Sequence, residues 1–167
     1  MKPVTTIKQI FLFVSVAFIF SACNNIKNVD LEFEKNQILK LHNAQRHYHF
    51  NKDSIAFANQ QSTNFISVNR GKISSPKQSE TISRYHGYFS SVEFLKWDDI
   101  SEPIIKFSDD GSMAYTIVDK IVAVSSQDIK GNKTVSETHF AWTAIYKKYD
   151  DQWKIDCVTS TNKSIKE

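Results

Sequence analysis

Apolar positions follow three rhythms along this chain. The first is continuous: Ile10 to Phe20, "IFLFVSVAFIF", is an eleven-residue apolar run. The second is helical. In "DLEFEKNQILKLHNAQRHYHF" a winding of 100° per residue puts Leu31, Ile38, Leu41, Gln45 and Tyr48 on one stripe, with His42 and His49 at its edge. Asp30 is placed to cap this helix, and Glu32 and Glu34 suit its positive end. "NKD" breaks the pattern, and Asp53 caps a short second helix expected over Ser54 to Gln61.

The third rhythm is alternation. "NFISVNRGK" reads as a strand ending in a glycine turn. A polar loop then leads into a short helix with Ile82, Tyr85 and Phe89 at spacing i, i+3, i+7. The segment Val92 to Phe107 is interrupted by Pro103, which cannot donate to a ladder and marks a bulge or an edge. "SDDGS", "DIKGNK" and "DDQ" then separate the β-rich runs "MAYTIVDKIVAV", "VSETHFAWTAIYKKY" and "WKIDCVTST". Regular turn chemistry between such runs predicts an antiparallel meander. Helices followed by a meander predict an α+β domain, two or three N-terminal helices packed on one face of the sheet.

The apolar run at the start is an address. Lys2 and Lys8 form a basic leader, and eleven helical residues span about 16 Å, short of the roughly 20 residues needed to cross a bilayer. Small residues Ser21 and Ala22 follow, then Cys23; "FSAC" resembles the bacterial lipobox. That resemblance implies removal of residues 1–22 and lipidation of Cys23, with Phe20 standing where leucine is usual. Several acyl chains on one cysteine anchor a protein durably, since each buried methylene contributes about 0.8 kcal/mol. Residues 23–30 then form a tether, residues 31–163 the domain and residues 164–167 a C-terminal tail. The location expected is a bacterial cell envelope, lipid-anchored, facing the periplasm or the exterior. Ordinary cleavage after Ala22 is the alternative.

Without Lys2 and Lys8, 19 basic residues face 18 acidic ones. That balance offers no clustered basic face, so nucleic acid is not an expected partner. Cys157 becomes the only free thiol, which leaves no internal disulfide and no multi-cysteine metal site; no metal or other cofactor is expected. Four glycines and three prolines in 167 residues argue against a long linker.

The order of elements resembles the superfamily of nuclear transport factor 2, ketosteroid isomerase and SnoaL-like proteins, over about Phe33 to Thr161. The carriers are the long first helix, the run Asp53…Phe65…Gly71, "DDGSMAY" opening a strand, and the closing "YKKYDDQWKID" hairpin. Asp151 and Gln152 stand where a glycine is common, and Thr159 stands where simpler members carry a histidine. The resemblance implies a cone, a strongly curved sheet wrapped around the helices with a pocket between them. Members use that pocket as isomerases, dehydratases, epoxide hydrolases and cyclases, while others bind ligands or dimerise.

Catalytic members need a carboxylate base in a dry pocket. Asp119 is the candidate, a lone acid sharing strand parity with Tyr115, Ile117, Ile121 and Ala123; Tyr115 is a candidate donor. If that face is instead the outer one, Asp119 is a surface acid paired to a lysine. His42, Gln45, His49 and Tyr48 on the first helix, Tyr85 and His86 in "RYHGYF", and His139 and Trp142 on a late strand are the candidate pocket lining. Three functions follow: a pocket for a small apolar ligand, a proton-transfer enzyme, or a module that pairs with a second copy through its sheet. The runs "TIV" and "IVAV" favour a sheet covered on both faces, which one helical layer cannot achieve.

Overall fold

The computed structural model describes residues 29–166. The signal segment, Cys23 and most of the tether lie outside the described residues. Helix α1, Leu31–Phe50, begins at Asp30, whose carboxylate accepts from the backbone N–H groups of Glu32 and Phe33 at 3.1 and 3.0 Å. Asp53 caps α2, Ser54–Asn59, accepting from Ala56 N at 2.9 Å. Gln61, expected at the end of that helix, instead opens strand β1, Gln61–Asn69. Then follow β2 (Lys72–Ser74), α3 (Gln78–Ser91), β3 (Glu93–Asp99), β4 (Ile104–Phe107), β5 (Met113–Gln127), β6 (Lys133–Tyr149) and β7 (Gln152–Lys166).

The α+β expectation holds. The sheet has seven strands in the order β2-β1-β7-β6-β5-β3, with β4 also on β5. Strands β3 and β4 share the edge of β5, one pairing with Lys120–Ser125 and the other with Ala114–Ile117, and Pro103 sits in the gap where no donor is needed. The meander from β3 to β7 is antiparallel; β1 joins β7 in parallel. Register shifts leave an extra residue in β3, at Leu95, and two in β7, at Asp156 and Ile165, and bulges of this kind bend a strand. Residues from 164 onward, expected as a tail, continue β7: Ser164 pairs with Thr138 and Lys166 with Glu137.

The pleat decides which side chains meet the helices. On β5, Ala114, Thr116, Val118, Lys120 and Val122 are buried inward, whereas Tyr115, Ile117, Asp119 and Ile121 point outward. One core cluster gathers Ile38, Phe65, Ala114, Ala144, Tyr146, Trp153 and Ile155; a second gathers Phe89, Val92, Phe94 and Val122. At the β4–β5 turn Gly111 has φ +65° and lies under Val29, where an added Cβ would come within 2.8 Å of Val29 Cγ1. The chain therefore enters the domain packed against that turn.

The buried stripe of α1 departs from the expected one. It runs Glu34, Ile38, His42, Gln45 and His49, while Leu31 is 47% exposed and Leu41 and Tyr48 are half-buried. Hydropathy alone centres the stripe on leucines. The sheet instead offers charged and aromatic partners, so polar helix residues are buried with their hydrogen bonds satisfied.

Candidate functional site

Two of those helix residues, His42 and Glu34, meet the sheet through polar contacts. His42 Nε2 donates to Asp99 Oδ2 at 2.8 Å, and Lys120 Nζ donates to the other oxygen, Oδ1, at 2.6 Å. His42 and Lys120 are buried, and the Asp99 side chain keeps 26% exposure at the end of β3. Burial pushes the Asp99 carboxyl up, but the hydrogen bonds from His42 and Lys120 outweigh it and hold the group below its usual 3.8. Asp99 is thereby kept ionised, the counter-charge for a lysine sealed inside the cone.

Two turns further along α1, His49 is wrapped by rings. It stacks on Trp97 with centroids 3.5 Å apart and 23° between planes, and touches Phe57, Phe89 and Phe94 at 4.8–5.1 Å. Its Nδ1 lies 2.6 Å from Gln45 O, and a carbonyl only accepts, so Nδ1 carries the proton. Burial lowers the imidazole from 6.5 to about 4, against the pull of the Gln45 hydrogen bond and with help from the Lys120 charge. His49 is a neutral, aromatic-like core residue. Lys120 Nζ also lies 5.5 Å from the centroid of Trp97. The Trp97 Nε1 atom is buried with no acceptor among the described residues.

Near the start of α1 a second polar knot closes the cone. Glu34 accepts from Lys148 Nζ at 2.5 Å and from Trp153 Nε1 at 2.6 Å. Close by, burial pushes the Tyr146 hydroxyl well above its usual 10, with Thr116 beside it acting in the opposite sense.

The structure divides the residues singled out in the sequence. His42, Gln45, His49, Tyr85 and Trp142 reach the interior, Trp142 lying 6.3 Å from Trp97 and Tyr85 4.4 Å from Phe57. Tyr48 is half-buried on the flank of α1, and His86 is exposed. Asp119, Tyr115 and His139 lie on the outer face. There Asp119 is hydrogen-bonded to His139, their side chains 42% and 41% exposed. The expectation of a desolvated acid at Asp119 with Tyr115 as its donor therefore fails: period-two alternation defines two faces without saying which is concave. The acids turned towards α1 are Asp99, on β3, and Glu34, on the helix itself, and the buried cation is Lys120. The signal for Asp99 and Lys120 was present in the parity of Trp97 with Asp99 and in a lone lysine within "TIVDKIVAV".

Two hollows among the described residues have linings that include no residue of α1. One of about 330 Å³ is lined by Val68, Asn69, Arg70, Gly71 and residues Thr159 to Asn162. The other, about 40 Å³, lies between Ala58, Gln61, Ser62, Thr63, Pro76 and Gln78. Against α1 at the level of Trp97, His49 stacks on the indole among Phe57, Phe89 and Phe94. Among the described residues no group of three His, Cys, Asp or Glu side chains is placed to hold a metal ion, and no helix is long and apolar enough to cross a membrane.

No family model matches the sequence, and no curated protein does. Solved structures do. A conserved protein from Planctomyces limnophilus superposes with a TM-score of 0.66 at 12% identity, covering 80% of this chain and 99% of that one. A nuclear transport factor 2-like protein from Cytophaga hutchinsonii gives 0.57 at 13%, covering 76% and 96%. The chain has the nuclear transport factor 2-like fold. A ketosteroid isomerase-like protein from Erwinia carotovora atroseptica is similar over 79% of this chain and 96% of that one, at 13% identity and a TM-score of 0.57. Within this nuclear transport factor 2-like fold the buried polar groups of α1, β3 and β5 include His42, Asp99 and Lys120, joined by hydrogen bonds.

Proposed function

We propose that this chain is a lipid-anchored protein of a bacterial envelope that acts as an assembly module, pairing with a second copy through the outer face of its sheet. One observation carries the reading. The register aligns Tyr115, Ile145, Cys157 and Ile66 in a row across β5, β6, β7 and β1, and Ile117 faces Ile104 beside it. Ile66, Ile104, Met113, Tyr115 and Ile117 are each between 38% and 51% exposed. Helices cover only the inner face, so this row has no partner within the protomer. A two-fold axis through the row would set each copy's apolar residues against the other's, the commonest closed arrangement. Beside it Asp119 is hydrogen-bonded to His139.

Sedimentation or light scattering tests this: a dimer is expected, and Ile117→Lys should give a folded monomer. A wild-type chain that stays monomeric at high micromolar concentration overturns the reading. The anchor rests on the run Ile10 to Phe20 and on "FSAC"; Cys23→Ser should move the protein from the membrane to the soluble fraction.

A second reading, a small apolar ligand in the cone, is favoured by the Trp97 indole N–H, buried without an acceptor among rings. A ligand offering one carbonyl would satisfy it. A proton-transfer version would use His42 with Asp99 in place of Asp119 and Tyr115. Mass spectrometry of small molecules extracted from the purified protein decides it; an empty cone removes this reading and leaves the first.

A further inference from the structure

The larger hollow is a notch in the sheet. Asn69, at the end of β1, pairs with Ser160; the chain then reverses at Arg70 and Gly71, while β7 runs on to Lys166 with no neighbour on that side among the described residues. The space left is about 330 Å³, within the roughly 300–1,000 Å³ of small-molecule sites. Its walls are the turn and the free edge of β7 from Thr159 to Asn162, whose side chains alternate, Ser160 and Asn162 on one face and Thr159 and Thr161 on the other.

The turn is the revealing part. Asn69 pairs with Lys72, so Arg70 and Gly71 form a two-residue hairpin loop, with φ +50° and +72°. Two left-handed residues are the pattern that favours Asn or Asp before Gly. Arginine gains nothing from that backbone, because its Cβ crowds the following carbonyl. What Arg70 contributes is its guanidinium, exposed at the wall of the notch and in none of the ion pairs among the described residues. The surrounding charge agrees. The segments Gln61–Lys77 and Cys157–Lys166 contain Arg70, Lys72, Lys77, Lys163 and Lys166 and no acid. A fork of guanidinium donors matches an oxyanion, and hydroxyl and amide side chains match hydroxyls.

We infer that this notch binds a small hydroxylated oxyanion, with Arg70 on the anionic group and, on one face of β7, Ser160 and Asn162 on the hydroxyls. It shares no chemistry with the inner network and does not depend on the pairing proposed above.

Calorimetric titration of the full chain with glucose 6-phosphate, glucuronate and glucose tests it. The two anions carry similar hydroxyls on different acids; glucose lacks the charge. Saturable binding of at least one anion and none of glucose is expected, and the anion bound distinguishes a phosphate from a carboxylate source. Arg70→Asn should weaken binding by about tenfold or more. The same variant should melt at an unchanged or higher temperature, since asparagine suits the turn, which separates lost binding from lost folding. Failure of both anions to bind overturns the inference, as does undiminished binding to the folded Arg70→Asn variant. Inorganic phosphate binding as tightly as glucose 6-phosphate would overturn the assignment of the hydroxyl contacts.

Discussion

Lys120 Nζ lies 2.6 Å from Asp99 Oδ1, inside a sheet whose pleat gives that lysine nowhere else to go. A buried ammonium is stabilised only while its counter-charge and hydrogen bonds persist. Asp99→Asn should therefore destabilise the fold by about 3 kcal/mol, near the lower end for a broken buried pair because Asp99 keeps 26% exposure. Replacing both partners, Asp99→Asn with Lys120→Met, should recover much of that loss. Urea unfolding of the three variants checks it, and additive losses would show that the two charges do not depend on each other.

His49 makes the fold sensitive to acid. Its folded pKa, about 4, lies below the unfolded 6.5, so the unfolded chain binds the proton more readily in between. The stability it contributes is complete above about pH 6.5 and is lost as pH falls towards 4, by about 3 kcal/mol in all. Asp99 has the same sign in a lower window: its pKa is held below 3.8, and its contribution disappears as pH falls through that region. Thermal melts from pH 7 to pH 4 should slope downward, and His49→Phe should flatten the slope. A profile unchanged in that variant would place the sensitivity elsewhere.

Asp119 and His139 are the contrast. Their pair is about two-fifths exposed on the outer face, where the ion-pair gain is small. Asp119→Ala should change monomer stability by no more than about 0.5 kcal/mol. A large loss in the same urea assay would show that the pair is stronger than its exposure allows.

Glu34 ties the first turns of α1 to the last hairpin through Trp153 Nε1 and Lys148. Trp153→Phe keeps most of the ring and removes one charge-assisted hydrogen bond, a cost of about 2 kcal/mol. Trp153→Ala adds a cavity and should cost more, about 3–5 kcal/mol. Equal losses would mean that the N–H contributes nothing and packing everything.

The local elements were legible because their causes are local. Asp30 and Asp53 cap helices by accepting from N–H groups two or three residues away, and the Asp109–Gly111 turn needs only its own residues and a left-handed glycine. Alternation in "MAYTIVDKIVAV" likewise defined β5 and its two faces. The α1 stripe was displaced because hydropathy scores His42 and Glu34 as surface residues. Asp99, 57 positions from His42, and Trp153, 119 from Glu34, make them interior ones.

By itself, then, the chain determined the sequence of helices and strands, the turns and the α+β class, since these follow from contacts within a few residues. Tertiary structure alone decided which face of β5 is concave and that Lys120 rather than Asp119 is enclosed. It also decided that β1 stops short of β7 and leaves a notch. The reason is common to all three: curvature, register and long-range ion pairing depend on residues that meet only when the sheet closes over α1.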